Sequence, residues 1–70
     1  MSKSIITIEN IQTGELKYVA TFNQVTTAAP TYTCDVTKAM GFIDTAVMPP
    51  LKAAKRNINP SATRVYTLSA

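Results

Sequence analysis

The chain has 70 residues, 46% of them apolar and 16% charged, with a formal net charge of +3. That length reads as one small domain, 1–70, which buries only about 60% of its unfolded surface and lies near the lower limit for folding alone. One cysteine, Cys34, and no histidine exclude an internal disulfide, a Cys/His zinc site and histidine-based acid–base catalysis within one chain.

The clearest structural signal is a β-hairpin over Ser4–Asn23, SIITIENIQTGELKYVATFN. Two runs rich in β-branched and aromatic residues flank Gln12-Thr13-Gly14. A three-residue loop with Gly in the left-handed position is a common hairpin connection. It predicts Glu9 opposite Lys17 as a cross-strand ion pair. Ile6, Ile8, Leu16, Tyr18, Ala20 and Phe22 then share an apolar face, and Thr7, Glu9, Lys17, Val19 and Thr21 the polar one. A two-residue loop at Thr13-Gly14 shifts the pairing by one and exchanges faces; the cleaner division favours three. Residues Gln24–Thr33 form a Thr/Ala/Pro connection, with Val25 prolonging the second strand as one option and Thr31 or Thr33 as N-cap candidates.

From Cys34 the apolar spacing turns helical. Val36, Met40, Ile43 and Val47 recur at intervals of four, three and four, which places them on one stripe. Asp35 suits the first turn of such a helix, and Gly41 weakens it by up to about 1 kcal/mol while permitting close approach to a strand. Phe42 lies off the stripe. A core position is the simpler account of it, and an exposed contact residue the other. Pro49-Pro50 is read as the end of this helix. Residues 51–58 suit a short second helix with Pro50 near its first position, Leu51, Ala54 and Ile58 inward and Lys52, Lys55 and Arg56 outward. The rival is a strand turning at Asn59-Pro60-Ser61, and Asn57 or Asn59 could end the helix. Thr63–Ser69 alternates as a closing strand, with Val65 and Thr67 on one face and Arg64, Tyr66 and Leu68 on the other. The expected fold is α+β, a two-layer sandwich of order β-β-α-(α)-β, with β-β-α-β-β as the alternative.

Charge is unevenly spread. Residues 1–50 carry Lys3, Lys17 and Lys38 against Glu9, Glu15, Asp35 and Asp44; residues 51–70 carry Lys52, Lys55, Arg56 and Arg64 and no acid. This basic third is the only electrostatic pointer to a partner. No carboxylate pair converges by spacing: Asp35 and Asp44 fall on opposite sides of one helix, and Glu9 and Glu15 straddle the hairpin. Gly14 and Gly41 are isolated, so no phosphate-binding loop exists. Cys34 lacks a His partner and reads as structural or incidental, despite its place near an expected helix N-terminus. The expectation is a non-enzyme without cofactor or metal.

From Ala20 onward, ATFNQV, the Thr/Ala/Pro connection, DVTKAMGFI and the closing RVYTLSA resemble a family of short uncharacterised proteins of Gram-positive bacteria and their mobile elements. The Pro49-Pro50 break and the basic segment depart from that pattern. In that family the segment before the last strand is itself strand-like, which the resemblance implies here too. At fold level the chain is also similar to small phage accessory proteins, anti-CRISPR inhibitors among them.

These features point to a small interaction protein that binds a larger protein or protein–nucleic acid complex, as inhibitor or assembly component. The candidate residues are Lys52, Lys55, Arg56 and Arg64, with Tyr66 or Phe42 as anchors. The alternative is direct nucleic-acid binding through the same basic group. An exposed sheet edge offers self-association. MSKSIITIEN lacks the apolar core of a signal peptide, and no run approaches the ~20 apolar residues of a membrane span. The expected location is therefore a bacterial cytoplasm or a particle assembled there.

Overall fold

A computed structural model describes residues 3–23, 25–26, 29–56 and 58–69. Its elements are β1 (Lys3–Asn10), β2 (Leu16–Thr21), β3 (Thr31–Thr33), a 3₁₀ turn at Val36–Lys38, β4 (Gly41–Ile43), α1 (Met48–Arg56) and β5 (Thr63–Ser69). They form an α+β fold: a curled antiparallel sheet of five strands and one helix.

β1 is the hub. Along one edge it pairs with all of β5, from Ser4↔Ser69 to Asn10↔Thr63. Its other edge is shared. β2 takes the C-terminal half (Thr7↔Tyr18 to Glu9↔Leu16) and β4 the N-terminal half (Lys3↔Ile43 to Ile5↔Gly41). Where they meet, the Met40 N–H donates to the Val19 carbonyl at 2.9 Å. β2 is thereby turned away from β1, and the extra residue at Ala20 in its pairing with β3 (Val19↔Tyr32, then Thr21↔Thr31) bends it further. The N-terminal extension of β1 meets Gly41 closely: a Cβ there would lie 3.2 Å from Lys3 Cδ and 3.3 Å from Lys3 Cβ. The close approach expected of Gly41 is therefore present, on a strand.

The hairpin forms, but its register differs by one residue from the expected one. Asn10 N–H donates to the Glu15 carbonyl, which leaves four loop residues, 11–14. The cause is the Asn10 side chain. Its Oδ1 accepts from the N–H groups of Gln12 and Thr13 at 3.0 and 3.2 Å, and its carbonyl accepts from the Gly14 N–H. An asparagine that caps the turn in this way holds one more residue in the loop. Gly14 keeps its expected role at φ +76°. The slip exchanges the faces of β2 relative to β1. Val19, expected outward, is fully buried; Leu16, expected inward, is 36% exposed. Glu9 faces Leu16 in place of Lys17, so the predicted Glu9–Lys17 pair is not formed across the strands.

The first predicted helix is also corrected. Residues 34–47 hold a 3₁₀ turn, β4 and a following turn. Side chains here satisfy the backbone locally. Thr33 Oγ1 accepts from Asp35 N–H, and Asp35 Oδ1 accepts from both Thr37 N–H and Thr37 Oγ1 at 3.0 and 2.6 Å. Such bonds compete with a helix, and Thr37, Gly41 and Thr45 add little helix propensity. The apolar stripe is largely at the surface, with Val36, Met40 and Ile43 all exposed, while Phe42, off the stripe, is buried.

Pro49-Pro50 ends no helix, since the one expected before it does not form, but it stands at the start of α1, as expected of Pro50. The first helical bond runs from Leu51 N–H to the Val47 carbonyl at 3.0 Å. Met48, Pro49 and Pro50 are thus the first three helical residues, whose N–H groups have no helical acceptor, so the prolines forfeit no bond there. The helix reading of 51–58 holds in its first part. α1 ends at Arg56, the proposed end at Asn57 lies outside the described residues, and Ile58 packs on the core from beyond the helix. The turn at Asn59-Pro60-Ser61 is present, with the Asn59 carbonyl accepting from Ala62 and Thr63 N–H. The order is β-β-β-3₁₀-β-α-β, which neither expected order matches. Val25 does not prolong β2, being 93% exposed.

The core joins Ile6, Ile8, Val19, Phe22, Phe42, Ala53 and Ala54, with Val47, Leu51, Ile58 and Val65 against it. Registry places Ile6, Ile8, Val19, Val65 and Phe42 on one sheet face, which is the face that α1 covers.

Candidate interaction surface

α1 presents its cations as expected: Lys52, Lys55 and Arg56 are exposed on one side while Ala53 and Ala54 are buried. Lys55 and Arg56 occupy the last turn. There they also stabilise the negative end of the helix dipole, by roughly 0.3–1 kcal/mol each. Two of the three cations are therefore accounted for by the helix itself.

Arg64 does not join them. It stands directly opposite Glu9 across β1 and β5, on the sheet face turned away from α1. The sheet separates it from the helix cations, and its opposite-charge neighbour is one the hairpin register had assigned to Lys17. Phe42, an anchor candidate, is 2% exposed and belongs to the core; it faces Ser4 across β4 and β1, and a partner cannot reach it.

Tyr66 is better placed. The registers line up Thr33, Tyr18, Thr7 and Tyr66 as one row across four strands on the face away from α1. The row on one side holds Leu16, Glu9 and Arg64, and that on the other Ile5 and Leu68. Ile5, Tyr18 and Tyr66 are half-buried, and Leu16 and Leu68 are exposed. Thr7 is fully buried although α1 lies on the other face, and its hydroxyl has no hydrogen-bond partner among the described residues. A buried hydroxyl without a partner costs about 1–3 kcal/mol. The tyrosines on either side of Thr7 are what its row supplies to exclude water. Sequence reasoning found Tyr66 and Arg64 but missed Tyr18, Ile5 and Leu16 as their neighbours, because the expected register turned Leu16 and Tyr18 inward.

On the helix side, a cleft of about 320 Å³ opens between the hairpin and the turn at Asn59, with Ile8 and Ile58 as apolar lining and Lys17, Tyr32, Asn59 and Thr63 around them. Asn59 Oδ1 accepts from Ser61 N–H at 3.0 Å. Partial burial raises the Tyr32 phenol above its ordinary value. Glu15 and Lys17 both border the cleft and oppose each other in charge, so it has no strong electrostatic preference.

Cys34 is exposed and free, between β3 and the 3₁₀ turn; the helix expected after it does not form. No group of three or more His, Cys, Asp or Glu side chains gathers to hold a metal among the described residues. No helix among them is long and apolar enough to cross a membrane. No protein-family model, curated protein or solved structure matches the chain.

Proposed function

We propose that the chain is a non-enzymatic interaction protein that binds a larger macromolecule, as inhibitor or assembly component, through the sheet face turned away from α1. The observation that carries this is the Tyr18–Thr7–Tyr66 row with its apolar neighbours Ile5, Leu16 and Leu68. Tyrosine and arginine are the side chains that interface cores favour, and this face presents both, with Leu16 and Leu68 exposed beside them. In this reading α1 and the curled sheet form two layers, and the sheet's second face is completed by the partner. The proposed setting is a bacterial cytoplasm or a particle assembled there, the chain being an accessory protein of a phage or mobile element. The test is affinity capture with wild type, Tyr18→Ser, Tyr66→Ser and Lys55→Ala, each checked for folding by circular dichroism. Capture lost with either tyrosine variant and kept with Lys55→Ala supports the reading. Capture kept with both tyrosine variants overturns it.

The second reading, nucleic-acid binding, rests on the exposed trio Lys52, Lys55 and Arg56. Three phosphate contacts give a slope near −3 in log affinity against log salt on duplex DNA, at about −0.9 per contact. No binding to generic DNA or RNA at low salt disposes of this reading.

A further inference from the structure

We propose that β5 pairs antiparallel with β5 of a second copy, giving a two-fold dimer whose sheet runs through both chains. The edges of the sheet are unequal. β3 and β4 have three residues each, while β5 has seven. Short edge strands are a protection against pairing, and long ones without proline, lysine or a bulge are open to it. β5 reads TRVYTLS, with one charge near its start, and it matches β1 over seven consecutive pairs without a bulge.

The direction of its free backbone groups follows from the ladder. Ile11 N–H donates to the Ala62 carbonyl. Antiparallel pairs alternate, so Arg64, Tyr66 and Leu68 bond toward β1, and Val65, Thr67 and Ser69 present N–H and C=O outward. Among the described residues no strand pairs with that outer edge. Thr63 N–H is already engaged by the Asn59 carbonyl, so the usable groups centre on Val65 and Thr67.

One two-fold register pairs the whole strand: Tyr66 opposite Tyr66 of the second copy, Val65 opposite Thr67, Arg64 opposite Leu68. Each Val65–Thr67 pair exchanges two backbone bonds. The two Arg64 side chains lie four residues apart along the strand, about 13 Å at ~3.3 Å per residue, beyond the screening length of about 8 Å at physiological salt. No like charges face each other, and the two tyrosines form an aromatic cross-strand pair. A single pair of edges falls at the low end of interface size, where association is weak. With a net charge of +3 on each chain, added salt tightens it.

Sedimentation equilibrium from micromolar to millimolar concentration tests this on wild type, Thr67→Pro and Thr67→Lys. Thr67 is exposed, lies on the helix side and has an outward N–H, so a proline there leaves the β1 ladder its bonds. The expected result is a wild-type mass rising from 7.6 kDa toward twice that value, with both variants fixed at the single-chain mass. Should Thr67→Pro lose its folded spectrum, Thr67→Lys decides alone. A wild type that stays single at millimolar concentration, or a dimer that persists in the folded variants, overturns the proposal. Neither Thr67 variant alters the tyrosine row, so this test and the capture test above fail separately.

Discussion

Exchanging Val19 for the isosteric threonine tests the register of the hairpin and, with it, which face the molecule exposes. Val19 is fully buried among Ile6, Phe22 and Phe42, whereas Leu16 is 36% exposed on the opposite face. Val19→Thr keeps shape and strand propensity and places a hydroxyl in an apolar core, at a cost of about 1–3 kcal/mol. Leu16→Thr leaves its hydroxyl in reach of water and loses only part of a side chain's burial, at a cost below about 1 kcal/mol. A chain of 70 residues has a total stability of roughly 3.5–10 kcal/mol, so both variants remain folded at room temperature. Urea titrations followed by far-ultraviolet circular dichroism read the difference. With a slope near 1 kcal/mol/M, Val19→Thr lowers the midpoint by about 2 M and Leu16→Thr by under 1 M. If Leu16→Thr is the more damaging, the strands pair through a three-residue loop, Tyr18 turns to the helix side and the tyrosine row is broken, because Tyr66 stays opposite Thr7.

Substitutions at three further positions probe the turns. Gly14→Ala forces a Cβ into the left-handed region at φ +76° and lowers stability by roughly 1 kcal/mol, measured by the same titration. Asn10→Ala removes the acceptor for two loop N–H groups and costs about 1 kcal/mol, by analogy with a lost helix cap; Asn10→Asp retains most of the stability. Hydrogen bonds from the Thr37 hydroxyl and N–H hold the Asp35 carboxyl below its ordinary value of 3.8. A lowered carboxylate contributes stability above pH 3.8 that is lost as pH falls through the folded value. Acid unfolding of Asp35→Asn therefore shows a shallower dependence below that pH than wild type, and an identical profile refutes the assignment.

β1 and β5 were legible because both are rich in β-branched residues and neither holds a proline or glycine. The bounds of β5, Thr63–Ser69, match those expected. Gly14 announced its turn, since few other residues tolerate that backbone. The loop length did not follow from Gly14, because a side chain four positions earlier, Asn10, determines how many residues the turn holds. The stretch 34–47 misled for a related reason. Its apolar spacing is helical, yet Thr33, Asp35 and Thr37 bond their own backbone, and Phe42 gains more by entering the core beside β1. Pro49-Pro50 is ambiguous by nature: the missing N–H groups that end one helix are harmless at the start of another. In the candidate site, exposure of Lys52, Lys55 and Arg56 was readable from helical spacing. The separation of Arg64 from them was not, because it depends on the register in which β5 pairs with β1.

That separation alters what the basic third of the chain means. Arg64 lies opposite Glu9, and exposed cross-strand pairs of opposite charge contribute about 0.2–1 kcal/mol. A double-mutant cycle of Glu9→Gln with Arg64→Gln should give a coupling in that range that shrinks with salt, while Glu9→Gln with Lys17→Gln should be additive. The reverse outcome would restore the three-residue loop and return Arg64 to the helix cations. Given the Glu9–Arg64 coupling, the open face is close to neutral where a partner would sit, and its grip is apolar and aromatic. Capture through that face should then persist at about 1 M salt, where charges are screened beyond about 3 Å. Capture that vanished there would assign the binding to Lys52, Lys55 and Arg56, and make the sheet a scaffold for the helix.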